Sequence, residues 1–518
     1  MAMFERGCNT VPDILSLFGR HQLNRVAVEC GEDRISWPEF ARRINRVANG
    51  LIGMGIEKGD KVCVLMPTMT ETVEVMFGIA KAGAVLVPLN SMVHPDSLAH
   101  MVVDSDARAM FIGPGMNEFI SAYAATFEAI PDFKFITVGF ERKGWISFAQ
   151  LTDNSSDEDP GVRLELDDIM MIVYTSGTTG MPKGAVFDHF TRLQFALGLG
   201  IEFRIDYNSV ALISTPLYTT STWMIMLPTL VAGGTIILMP HFDPDGFLRM
   251  TLEKRPTHTF MVPTQYYVLL SYPDLNQYDI RGIYRYMLST GAPLQKESKV
   301  DIVKRFACEF IELYGMTEGI SSTLKPEHVL YKPGSVGTPV ISNDLRIIDD
   351  EGRELPWGEI GEIVGYSNCL MKGYYKQPEA TEQVKWIEPK TGRQFMRTGD
   401  MGRFDEEGFL YILDRKKDVI VSGGINIYAD DIERILSQHP DVFDCAVIAA
   451  PDKKWGETPV ALVIPRPAST TSEIALRNWL NKRLAKYQQV SMVEFRTEFP
   501  RNMLGKVLKK ELRAEFWK

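Results

Sequence analysis

A chain of 518 residues with 45% apolar side chains has room for about three domain-sized units, or equally for one large composite domain and a small one, each with a sizeable core. Its formal charge of −10 leaves no electrostatic footprint for nucleic acid or an anionic membrane, so an anionic ligand has to be met by locally placed lysine and arginine. Six cysteines without a C-x-x-C pair argue against a zinc site or a disulfide framework, and no N-terminal leader pattern or apolar run near the ~18 residues of a membrane span is present, so a cytoplasmic protein is expected.

Phe40, Ile44, Val47, Ala48 and Leu51 recur at helical spacing, and Gly53 and Gly55 end the pattern before the turn Glu57-Lys58-Gly59-Asp60. Residues 61–66 then read as a strand, 70–82 as a helix and 84–88 as a second strand, which makes a βαβ unit in a mostly parallel sheet. Further strands are predicted at 109–112, 135–138, 169–174, 210–214, 235–239 and 286–289, with helices between several of them. The Ser- and Asp-rich stretch 154–160 reads as a flexible surface connection. After about residue 336 the texture changes to short strands (345–348, 361–364, 409–413) between glycine and acidic turns, a β-rich subdomain over about 336–413. The charged run Asp414-Arg415-Lys416-Lys417-Asp418 interrupts it, and 419–518 reads as a separate α+β unit. The expected fold class is α/β, with a large N-terminal domain over 1–413 made of α/β subdomains with parallel-type sheets plus the β-rich part, and a small α+β C-terminal domain.

Chemistry-bearing clusters fall at the joints of this plan. Tyr174-Thr175-Ser176-Gly177-Thr178-Thr179-Gly180-Met181-Pro182-Lys183-Gly184 follows a strand with glycines, hydroxyls and one cation, a composition suited to cradling phosphate oxygens. It is not the Walker loop, because Pro182 precedes the lysine and Gly184 follows it, and such a run alone also suits an ordinary turn. Tyr314-Gly315-Met316-Thr317-Glu318 offers an aromatic face, a flexible glycine, a hydroxyl and a carboxylate, which suit a stacked base and a divalent ion as well as a strand end with a helix cap. Ser289-Thr290-Gly291-Ala292-Pro293 ends a strand with small residues that let a planar ring approach, or that simply turn. Asp400, Arg415 and Lys506, each alone, read equally as solvated charges.

Together these segments resemble the adenylate-forming superfamily of acyl-CoA and aryl-CoA ligases, luciferases and peptide-synthetase adenylation domains, in the family's order from Thr175 to Lys506. The resemblance implies an ATP-dependent carboxylic acid:CoA ligase that makes an acyl-AMP, releases pyrophosphate and then forms a thioester, with ATP, Mg²⁺ and coenzyme A as cofactors and co-substrates and a small acid as the remaining partner. It implies that Thr175, Ser176, Gly177, Thr178, Thr179 and Lys183 hold the phosphates, that Gly291, Ala292, Pro293, Tyr314, Gly315 and Met316 border the adenine, and that Thr317 and Glu318 bind Mg²⁺. Asp400, Ile412 and Arg415 take the ribose side, Lys506 is the catalytic lysine, Lys417 is the hinge within 414–418, and Ser422, Gly423 and Gly424 line the CoA channel of a mobile C-terminal lid.

Two departures narrow the substrate. Thr219, in Pro216-Leu217-Tyr218-Thr219, stands where many acyl-CoA ligases carry histidine and amino-acid-activating domains carry aspartate, so an amino acid is disfavoured. Gly423-Gly424-Ile425-Asn426-Ile427-Tyr428-Ala429 looks closest to bacterial acyl- and aryl-CoA ligases. Tyr218, Thr219, Trp223, Met224, Val262, Thr264, Tyr266, Gly291 and Ile320 are pocket candidates, mostly apolar and without a cation, though many suit a core equally; a hydrophobic monocarboxylate fits them best. A free-standing loader of a carrier protein is the nearest rival reading, and a non-catalytic nucleotide-binding regulator is a more distant one.

Overall fold

Valine- and isoleucine-rich strands buried on both faces form the centres of two parallel sheets, as the βαβ pattern predicts. The computed structural model describes residues 9–22, 24–175, 182–292, 294–423, 425–467, 469–501 and 507–517. Its chain divides into two compact units, one comprising residues 1–333, 339–343 and 366–385 and the other 334–338, 344–365 and 386–518.

The first unit contains an eight-stranded sheet in the order Gly373–Tyr374, Lys183–Asp188, Ile169–Thr175, Val85–Pro88, Lys61–Leu65, Ala107–Ile112, Lys134–Thr137, Ile146–Ser147. The strands from Ile169–Thr175 onward run parallel, and Lys183–Asp188 folds back antiparallel on Ile169–Thr175. A nine-stranded sheet has a parallel centre in which Glu309–Gly315, Tyr286–Ser289, His258–Met261 and Val210–Ile213 are successive neighbours. Ligands of open α/β sheets gather outside the carboxyl ends of such strands. Those ends run directly into Met316–Glu318, Thr290–Ala292, Val262–Thr264 and Ser214–Thr219.

Helix Trp37–Gly53 begins three residues before Phe40, the start of its apolar pattern, and is capped by Ser36, whose side chain accepts from the Glu39 amide. Its Trp37 and Phe40 continue through Phe77 to Trp223 in a chain of rings with centroids 5.9, 6.3 and 5.9 Å apart. Residues 154–160 are not the loose connection expected. Asn45 and Asn49 on that helix donate to the carbonyls of Asp157, Ser156 and Glu158, and Lys81 binds Asp159 at 2.6 Å. Arg192 is the oddity of the interior: wholly buried over the rings of Phe187 and Phe195, it has no hydrogen-bond partner among the described residues, and burial brings it down to about 10.

The second unit holds two antiparallel-rich sheets. In one, Gln394–Phe404 lies between Gly361–Ser367 and Leu410–Arg415. In the other, the eleven-residue strand Val442–Asp452 pairs with the ten-residue Gly456–Pro465, and Ile420–Ser422 and Met492–Phe495 flank the latter. Ile432, Leu436, Val447, Ala461, Leu476 and Leu480 form the core between that sheet and its helices. No helix among the described residues is long and apolar enough to cross a membrane.

Candidate active site

Thr175 and Lys183 face each other as the last register pair of a hairpin, so the two ends of the glycine-rich run are fixed by a buried ladder. Ser176, Gly177, Thr178 and Thr179 lie outside the described residues, as do Pro293, Gly424 and Lys506. The Lys183 ammonium makes no ion pair among the described residues; it sits 5.2 Å from the centroid of the Tyr374 ring. The same tyrosine donates its hydroxyl to Glu318 Oε1 at 2.8 Å. Burial, and then the Glu318 charge, hold that phenol well above its usual range, so it stays protonated as a donor. A single side chain thus joins the cation at the mouth of the loop to the carboxylate of the second motif. Spacing gave no sign of this contact, because a tyrosine in Gly373-Tyr374-Tyr375 reads as ordinary strand edge.

Glu318 is buried in a turn whose backbone leaves little freedom. The Met316 amide donates to the Ile320 carbonyl at 3.1 Å, the Gly319 amide to Met316 at 3.0 Å, and the Met371 amide to the Glu318 carbonyl at 2.8 Å. Gly319 has φ +111°, and a Cβ there would lie 2.0 Å from the Cys369 carbonyl oxygen, so only glycine fits. Tyr314 and Gly315 end the neighbouring strand, and Thr290 Oγ1 donates to the Leu313 carbonyl at 2.6 Å, tying the Gly291-Ala292 segment beside them. Gly291 itself takes φ +95°.

The carboxylate of Glu318 with the hydroxyl of Thr317 is a hard oxygen set that suits Mg²⁺. Among the described residues no group of three His, Cys, Asp or Glu side chains is gathered as a metal site.

The pocket candidates separate by burial. Trp223 and Tyr266 are core: the indole N–H donates to the Leu217 carbonyl at 2.8 Å and the phenol to Leu288 at 2.9 Å. Met224, Val262 and Ile320 are buried, Tyr218, Thr219 and Gly291 are half-buried, and Thr264 is exposed. Thr219 has a local task, capping helix Thr220–Val231; its hydroxyl meets that of Thr222 at 2.8 Å, which in turn meets Thr215 at 2.7 Å.

In the second unit Asp400 and Arg415 form a register pair and an ion pair at 2.7 Å, with Ile412 on the same strand as Arg415. Thr398 fixes the approach, accepting from the Asp400 amide at 3.0 Å. Lys417 lies in the short turn Lys416–Asp418. Ser422 precedes Gly423, which takes φ +58°; a Cβ there would stand 2.7 Å from the ring of Trp455, whose carbonyl accepts the Gly423 amide at 2.7 Å.

The family model described as AMP-binding enzyme matches residues 18–375, and that of the AMP-binding enzyme C-terminal domain matches 431–506. The chain belongs to the AMP-binding enzyme family. This AMP-binding enzyme is 36% identical to a feruloyl-CoA synthase of Amycolatopsis, over 95% of this chain and 96% of the relative. It is 32% identical to the long-chain-fatty-acid–CoA ligase FadD13 of Mycobacterium tuberculosis, over 93% of each. The crystal structure of ATP-bound MatB from Rhodopseudomonas palustris superposes with a TM-score of 0.88 at 29% identity, over 98% of this chain and 99% of that one. The α/β architecture is that of the family, and the AMP-binding enzyme is an ATP-dependent acid–thiol ligase, acting on a small acid with ATP and CoA.

Proposed function

We propose that this ligase activates a hydrophobic monocarboxylic acid, aromatic or aliphatic, as its acyl-AMP and then transfers the acyl group to CoA. The observation that carries the reading is the convergence of Lys183 and Glu318 on Tyr374, at strand ends where the adenine-side segment also lies. A carboxylate is a poor acyl donor until its oxygen becomes part of a good leaving group. In the first half-reaction a carboxylate oxygen attacks the α-phosphorus of ATP, the α–β phosphoanhydride bond breaks and pyrophosphate departs.

The chain's residues prepare that step. Lys183 and the loop from Thr175 present charge and donors to the β- and γ-phosphates, whose crowded oxygens otherwise repel the incoming acid. Glu318, with Thr317, would hold Mg²⁺, which supplies charge neutralisation on those phosphates when bound. Tyr374 fixes the Glu318 carboxylate through its hydroxyl. Asp400 accepts from the ribose hydroxyls and Arg415 orients it through their ion pair, while Lys506 bridges the acid and the α-phosphate. In the second half-reaction the CoA sulfur attacks the acyl carbonyl carbon and AMP leaves with the electron pair of the broken bond. Gly423 gives the pantetheine a nearly bare backbone beside Trp455. The apolar character of Tyr218, Val262 and Ile320 supports the choice of a hydrophobic acid.

Acid-dependent exchange of pyrophosphate into ATP, run across short, medium and long fatty acids, benzoates and hydroxycinnamates, tests the proposal. Exchange with at least one hydrophobic acid, followed on adding CoA by AMP and thioester in equal amounts, is the expected result. Exchange that leaves acyl-AMP unconsumed by CoA would move the acceptor to a carrier protein, and no exchange with any acid would refute adenylation.

A further inference from the structure

The short helix Lys509–Ala514, which follows the segment containing Lys506, reaches back to the hinge. Arg513 Nη1 donates to the Lys417 carbonyl at 3.1 Å, and its Nη2 binds Glu457 Oε1 at 2.8 Å. The other oxygen of Glu457 accepts the Val421 amide at 2.8 Å, so one arginine and one glutamate hold backbone on both sides of residues 418–420. The neighbouring Leu512 is buried with Ala446, Ile448, Val460, Leu462 and Phe499, which fixes the helix to its own sheet. One turn earlier Lys509 binds Glu433 at 2.8 Å, and Glu433 also accepts the Val447 amide. Burial would lower the Lys509 pKa, but Glu433 and the hinge residue Asp414 hold it above its usual range as a cation. Asp414 in turn accepts the Ala429 amide at 2.8 Å.

We propose that Arg513 is a positioning residue that latches the hinge at Lys417 in the arrangement described here. The inference rests on the two-step reading above, in which the chain must change its hinge between half-reactions. Any change of ψ at Lys417 swings its carbonyl, and the guanidinium, anchored through Leu512 and Glu457, does not follow. Arg513 thereby sets how the enzyme divides its time between adenylation and thioester formation.

The test uses full-length Arg513→Ala and Arg513→Lys and the wild type. Digestion by endoproteinase Lys-C reads opening of the hinge through fragments ending at Lys416 or Lys417, counted apart from the extra cut that Arg513→Lys introduces at position 513. A release of about tenfold in that rate is expected for Arg513→Ala, the size of one charge-assisted hydrogen bond, with partial recovery in Arg513→Lys. The ratio of pyrophosphate exchange to thioester formation from supplied acyl-AMP should shift at least about fivefold. Unchanged cleavage, or equal loss in both half-reactions with a lowered Tm, would overturn the latch and leave a structural role. If Arg513→Ala does not fold, Glu457→Gln breaks the same anchor and is read in the same two ways. Lys-C cleavage needs no substrate, so a failure of the ligase reading leaves the latch still measurable.

Discussion

The turn carrying Glu318 and the short turn Lys416–Asp418, the proposed hinge, are held by bonds of different kinds. Around Glu318 three backbone hydrogen bonds close the turn, and Gly319 lies against the Cys369 carbonyl with no space for a side chain. At the hinge, side-chain charges do the holding: Arg513 on the Lys417 carbonyl, and Lys416 on Glu362 at 3.1 Å and Asp350 at 2.8 Å. Backbone bonds that close a turn are given up only when the region unfolds, whereas a charged side chain can release its partner with the rest of the fold in place. On the proposed two-step reading, the first arrangement would suit charge preorganised toward phosphate and the second a segment that changes conformation between half-reactions.

Removing the charge from the rigid turn should do the most damage. Glu318→Gln is expected to lower pyrophosphate exchange by about 10²–10³-fold at little cost in Tm, as loss of one preorganised electrostatic contact does. A loss below tenfold would show that the turn is rigid for packing alone. Tyr374→Phe keeps the ring under Lys183 and deletes only the bond to Glu318, so exchange should fall about tenfold, with thioester formation from supplied acyl-AMP nearly unchanged. Equal falls in both half-reactions would place the effect outside the phosphate side.

A smaller and global effect concerns acid. Burial pulls the imidazoles of His189 and His258, both in the first unit, down to about 4. Their folded pKa values lie below the ordinary 6.5, so the unfolded chain takes up protons first as pH falls, and stability present above about 6.5 is lost progressively toward 4. The Tm of the first unit is expected to drop by ~5 °C between pH 7 and pH 5. His258→Gln should flatten that slope; an unchanged slope would remove this histidine from the account.

Much of this plan was legible because parallel strands buried on both faces must be apolar throughout, and the strands 61–65, 107–112, 210–213 and 286–289 announce themselves by that composition. The order of the motifs likewise pointed to the family. What stayed hidden depends on partners distant in sequence. Nothing local to Tyr374 says that its hydroxyl meets Glu318, and nothing local to Gly319 shows the Cys369 carbonyl that forbids a Cβ. Residues 154–160 have the composition of a free loop, yet two asparagines on a helix more than a hundred positions earlier bind their carbonyls. Trp223 and Tyr266 sit in segments that border the site, and an aromatic side chain there reads the same whether it turns to a ligand or, as these do, to the core.

The ring chain from Trp37 to Trp223 has a spectroscopic consequence. Both indoles are within 1% of full burial, whereas Trp357, Trp455 and Trp517 of the second unit are 62%, 51% and 47% exposed. An aqueous quencher such as iodide therefore silences the red edge of the emission, to which these three exposed indoles contribute, and spares the blue edge to which Trp37 and Trp223 contribute. Melting followed at the red edge therefore reads these exposed indoles apart from the buried Trp37 and Trp223, with no label attached.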